Sequence, residues 1–145
     1  MGSLGMITVV GIAVLAVLIW FLYRKFSQDK IEELIAKRKA SARISVPAHF
    51  VEANQRIPVA LALTDQSIYY ENADLEARLD LENIEEVQYA SDLFTGQEVL
   101  DGRVLRLRAH GHSYEFIVDK VSSERIESIL PPHTADQPGG VRLVG

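Results

Sequence analysis

The sequence predicts an α+β fold, mainly β: a single apolar helix, an amphipathic linker helix, and a seven-stranded antiparallel barrel closed by a C-terminal helix. Three observations carry this. No charged side chain occurs from Met1 to Tyr23. After Arg43 the hydrophobic period changes from 3.6 to 2, as strands require. A last helical segment, Ser122 to Leu130, stops against Pro131-Pro132.

The apolar run contains ITVVGIAVLAVLIWFLY, from Ile7 to Tyr23. About twenty helical residues at 1.5 Å each match the ~30 Å hydrocarbon core of a bilayer. Ile7, Val10, Leu15, Leu18, Trp20 and Tyr23 are the residues of this expected span, anchor 1–23. In lipid every backbone N–H must be satisfied within the segment, so a helix forms despite the moderate propensity of Val, Ile and Thr. Trp20 and Tyr23 lie beside Arg24 and Lys25, where amphipathic rings and cations favour the headgroup layer. A cleaved signal peptide would carry positive charge before the run and small residues after it; this chain has the reverse. A buried core helix would be shorter, with a polar face. Met6 leaves a myristoylation pattern incomplete.

Charge divides the remaining chain. Residues 24–43 hold seven cations (Arg24, Lys25, Lys30, Lys37, Arg38, Lys39, Arg43) against three acids, a balance of +4; residues 44–145 balance at −9. Cations flanking only the far end of the span predict an N-terminus outside and a cytoplasmic domain at the cell membrane. The same seven cations are the candidate contacts to anionic headgroups. With no cysteine, disulfides, thiolate metal sites and cysteine nucleophiles are excluded.

In SQDKIEELIAKRKAS, residues 27–41, Ile31, Leu34, Ile35 and Arg38 recur at spacings of three and four, which reads as an amphipathic helix. Ser27 is its candidate cap and Ser41 its end; Glu33 precedes Lys37 by four, and acids lead while cations trail. With no Pro or Gly between Gly11 and Ser41, span and linker form one helix or bend near Phe26; both readings stand. The narrow apolar stripe suits packing on the domain, or on a second copy, better than lying in a membrane surface. Gly11, Ala13 and Ala16 could support helix pairing, although no GxxxG occurs.

Strands are expected at 44–52, 57–64, 67–71, 75–81, 84–90, 103–110 and 113–119, within a domain spanning 44–130. Val59, Leu61 and Leu63 alternate with small Ala60 and Ala62, then Thr64-Asp65-Gln66 turns into the next strand. Leu105, Leu107 and Ala109 alternate with Arg106 and Arg108, which are expected to face water, and Tyr114, Phe116 and Val118 return after Gly111. Ser122 and Ser123 are cap candidates for the last helix. Residues 131–145 read as a loose tail in which Val141, Leu143 and Val144 are able to add an edge strand or dock.

This order of elements resembles the pleckstrin-homology (PH) superfold, and local features resemble its GRAM and bacterial PH-like branches. ALTDQSIYYEN (62–72), LDLENIEEVQYA (79–90) and VLRLRAHGHSYEFIVDK (104–120) look like three of its characteristic strand and turn segments. The resemblance implies a barrel with a terminal helix, and such folds bind peptides by adding a strand to an open edge or filling the groove beside the closing helix. Phosphoinositide-binding members gather cations on the first two strands and their loop; here the loop Glu52–Arg56 offers one cation and one acid. High-affinity inositol phosphate binding is therefore not expected, whereas an acidic surface suits a basic protein partner.

Other chemistries lack their residues. His110-Gly111-His112, with Glu115 nearby, sits on an expected hairpin tip without the fixed ligand geometry a metal needs, so no metal is expected; His49 and His133 are isolated. Glu85 and Glu86 point to opposite strand faces, no nucleophile elbow or phosphate loop occurs, and no cofactor or enzymatic activity is expected. An acidic domain does not suit nucleic acid. The loop Ser91–Gly102 stands out because Leu93, Phe94, Val99 and Leu100 are apolar where loops are usually polar. They either cap an open end of the barrel or form a contact surface. Two functions follow: a membrane-anchored adaptor or accessory subunit binding a protein partner, or a sensor of anionic lipid. A homo-oligomer is compatible with either.

Overall fold

The computed structural model describes residues 2–144. Its elements are α1 (Gly2–Lys39), β1 (Ile44–Glu52), β2 (Gln55–Leu63), β3 (Ser67–Glu71), β4 (Glu76–Asp80), a 3-10 turn (Leu81–Asn83), β5 (Ile84–Ala90), β6 (Arg103–Ala109), β7 (His112–Val118) and α2 (Lys120–Ile129). The α+β, mainly β class holds. Span and linker are one helix, so Ser27 caps nothing; the backbone leaves α1 through N–H groups of Ser41 and Ala42 that both donate to the Arg38 carbonyl.

The seven strands form one antiparallel sheet in the order β4-β3-β2-β1-β7-β6-β5. Among the described residues β4 and β5 are the two outer strands of this sheet and share no ladder with each other. Expected boundaries shift where turns are tighter than the pattern suggested. The first hairpin turns on Ala53-Asn54 alone, so β2 begins at Gln55. Asn72 Oδ1 accepts from the N–H groups of Asp74 and Leu75, taking Leu75 into the turn before β4. Asp119, rather than a serine, caps α2: its carboxylate accepts from the Ser122 N–H and hydroxyl, each at 2.8 Å. The N–H contact chiefly, with the hydroxyl adding, holds its carboxyl below the ordinary aspartate range, against a partial rise from burial.

The inward face of the sheet carries Val59, Leu61, Leu63, Ile68, Leu105, Leu107, Phe116 and Val118, joined by Ile126 of α2 and by Leu130 at its C-terminal end. Phe50, Tyr70 and Phe116 meet with ring centroids 5.0–5.4 Å apart, a spacing that adds to area burial. The tail expected to be loose is docked: Val141 is buried in this core and Leu143 packs against it.

On the outer face of β2, Ala60 meets Ile31 and Leu34 of α1, with half-buried Ile35 alongside. Small alanines let the helix approach, and burying each aliphatic side chain contributes about 2 kcal/mol. The Ser45 hydroxyl donates to the Ile35 carbonyl at 2.9 Å. Arg38 then fixes the end of the helix. Its Nε donates to Glu71 Oε1 at 2.7 Å and its guanidinium lies 4.0 Å over the Tyr69 ring.

Candidate interaction site

The loop after β5 is an ordered miniature hairpin. Asp92 and Glu98 form a bridge, the Leu93 N–H donates to the Gln97 carbonyl, and the Val99 N–H donates to the Ser91 carbonyl, both at 2.8 Å. Gly96 turns the chain at φ 92°, where a side chain would strain the backbone. At the loop's exit, a Cβ on Gly102 would overlap the Val118 carbonyl oxygen, so only glycine fits that approach.

Leu93, Phe94, Val99 and Leu100 divide by face. Leu93 and Val99 are buried with Val104 and Ile117, beside half-buried Val51 and Ala90. These neighbours lie on the outward face of β6, β7 and β1, so the loop covers the back of the sheet rather than an end of a barrel. Phe94 and Leu100 each remain 79% exposed. Contact residues expected as four are thus two available and two structural.

A polar network holds Phe94 in place. Its N–H donates to Glu115 Oε2 at 2.9 Å, and Arg106 Nε and Nη2 donate to the same oxygen at 3.3 and 3.1 Å. Arg106 Nη2 also donates to the Asp92 carbonyl at 3.1 Å, tying the loop to β6. Arg106, expected to face water, is instead largely covered; Arg108 remains half exposed. Sequence reasoning missed this pair, although Arg106 and Glu115 are direct cross-strand neighbours.

The basic cluster is also divided. Arg38 is committed to Glu71, which together with nearby acids favours its charged form. Arg43 donates to the Val144 carbonyl and lies 3.6 Å from Asp65. Lys30 makes a loose 3.9 Å contact with Glu33, and Arg24 sits 5.5 Å from the Trp20 ring centre. Lys25, Lys37 and Lys39 form no ion pair among the described residues. Ile7, Val10, Leu15, Leu18, Trp20 and Tyr23 lie exposed along α1, and the Tyr23 hydroxyl approaches Asp74 Oδ2 at 3.4 Å.

His110 and Gly111 form the β6–β7 turn at φ 52° and 76°, and His133 exchanges backbone hydrogen bonds with Val87. Among the described residues, no three of His, Asp or Glu gather as metal ligands.

The molecule is a mainly β domain behind one helix long and apolar enough to cross a membrane. No protein-family model matches the chain, and no curated protein matches it in sequence.

Proposed function

We propose that this chain is a single-pass membrane-anchored interaction module, an adaptor or accessory subunit of a membrane assembly. Its sheet and terminal helix are compatible with the PH-like superfold, and on this reading the domain is a GRAM-like or bacterial PH-like variant that binds protein. Residues 1–23 span the cell membrane with the N-terminus outside, because Arg24 and Lys25 flank the C-terminal end of the span. Phe94 carries the reading: a large aromatic side chain, 79% exposed, on a loop held by the Arg106–Glu115 pair. An aromatic carried on a loop whose backbone is already ordered avoids the cost of ordering that loop on binding, one way interface anchors gain affinity.

Anionic-lipid sensing is the second reading, favoured by unpaired Lys25 next to the expected interface. It is weakened by distance. Lys37 lies fourteen residues past Tyr23, about 21 Å along the helix axis, well beyond the ~8 Å Debye length at physiological salt. Arg38 and Arg43 are turned to the domain.

The test is affinity purification of the full chain in mild detergent, with quantitative mass spectrometry of copurifying proteins. Phe94→Asp should lower a stoichiometric partner at least tenfold, in line with loss of ~2 kcal/mol from an anchor. Lys37→Glu with Lys39→Glu should change it less than twofold. The reverse pattern, or copurification of anionic lipid alone, would overturn the protein-binding reading.

A further inference from the structure

Residues 133–144 cross the seam that the sheet leaves open. His133 pairs with Val87 on the β5 edge at 2.8 and 3.0 Å. Thr134 to Gly140 are exposed, with Gly139 at φ 84°. Val141 then enters the core and Leu143 packs on it, while Arg142 and Val144 point outward, an alternation typical of extended chain. Val144 is clamped at both backbone groups: its N–H donates to the Ile129 carbonyl at 2.7 Å and its carbonyl accepts from Arg43 Nη2 at 2.5 Å. An open groove of about 1030 Å³ is lined by Gly140 to Leu143 of this segment together with Asp65, Arg78, Asp80, Leu81 and Glu82.

The segment is held as a peptide ligand is held. It is extended, anchored by alternate side chains, joined by an exposed glycine-containing connector, and outside the sheet's ladders. A short flexible tether gives an effective concentration of about millimolar, so few contacts keep it seated. A longer segment that also fills the groove would make contacts the resident one does not. Apart from the seated segment, whose own Arg142 also lines the groove, the lining holds three acids against two arginines: Arg78, paired with Asp80 at 3.1 Å, and Arg43, which lies 3.6 Å from Asp65 and donates to the Val144 carbonyl. That balance, within a domain of charge −9, favours basic flanking residues in the occupant.

We propose that the slot between the end of α2, Arg43 and the β4 edge is a docking site for an extended peptide of a partner protein. That peptide carries aliphatic residues at alternate positions and basic residues beside them, and Val141–Val144 occupies the slot in cis until displaced. No residue of the Phe94 loop lines this slot, so it is a second surface whose failure leaves the Phe94 reading intact.

The test inserts a protease recognition sequence after Asp136 in the full chain, held in a nanodisc. After cleavage and buffer exchange, fragment retention is followed by mass spectrometry and the domain by thermal unfolding. Binding of a fluorescein-labelled Gly139–Val144 hexapeptide is then read by anisotropy. The fragment should leave, the cooperative transition should persist, and the hexapeptide should rebind at least tenfold more tightly than it binds uncleaved protein. The same peptide with Val141→Asp and Leu143→Asp should bind at least tenfold more weakly, and Phe94→Asp in the protein should change nothing. Retention of the fragment, loss of the transition on its departure, or absence of rebinding would each make residues 141–144 a fixed part of the core.

Discussion

The two halves of α1 obey opposite rules within one unbroken helix. From Leu4 to Phe26 the large apolar side chains are exposed all round and touch no core. From Ile31 to Arg38 the helix presents one face to β1 and β2, burying Ile31 and Leu34, and reaches Glu71 of β3 through Arg38. The first half is shaped by the medium it is suited to, where every face is alike; the second is shaped by a protein surface, where only one face is buried. A helix that passes directly from one regime to the other sets the domain's orientation relative to the apolar segment.

The difference is broken most sharply at its protein-facing end. Arg38→Ala leaves the Glu71 carboxylate, with only 6% of its side chain exposed, without its partner. Loss of one member of a buried pair costs about 4 kcal/mol. Chemical denaturation of the full chain in detergent should show that loss, while neighbouring Lys39→Ala should shift stability by less than about 0.5 kcal/mol. In the other half, Leu15→Arg places a charge mid-segment at a cost of about 3 kcal/mol for membrane insertion. It should move protein from the carbonate-resistant membrane fraction into the soluble or aggregated one without altering the domain's own unfolding.

A finer probe acts on the boundary of the packed half. Ala60→Leu overfills the contact with Ile31 and Leu34, which should cost about 2 kcal/mol. Hydrogen exchange should rise in residues 28–39 and stay unchanged before residue 24. The smallest effect serves as a reference remote from α1. Asp119→Ala removes the α2 cap and should cost about 1 kcal/mol. Because the folded Asp119 carboxyl titrates below its ordinary value of 3.8, its contribution is complete above that pH. It is lost as pH falls through the lowered folded value. The difference in denaturation midpoint between wild type and Asp119→Ala should therefore narrow below pH 4 and persist at pH 7.

Much of the architecture was legible because it is local. Seven alternating runs gave seven strands, and Ile126 and Leu130, from the segment expected to form the last helix, lie in the core. Of the loop, its unusual apolar content could be read but not its division. Leu93 and Val99 face Val104 and Ile117 across a long sequence separation, and no period within Ser91–Gly102 reports that neighbour. The alternation of Val59, Leu61 and Leu63 with Ala60 and Ala62 did hold a signal that became interpretable only in three dimensions. Small residues on an outward strand face mark where another element lies close.

By itself the sequence determined what each segment is: an uncharged run long enough to span a bilayer, an amphipathic linker, period-2 strands, and a helix stopped by prolines. Tertiary structure alone decided what each segment touches. It made α1 continuous, assigned Arg38 and Arg43 to the domain, left β4 and β5 without a shared ladder, and seated Val141 in the core. The reason is physical: backbone preference and hydrophobic period are set by neighbours within a few residues. The pairing of a charge or the burial of an aliphatic side chain depends on atoms that only folding brings within a few ångströms.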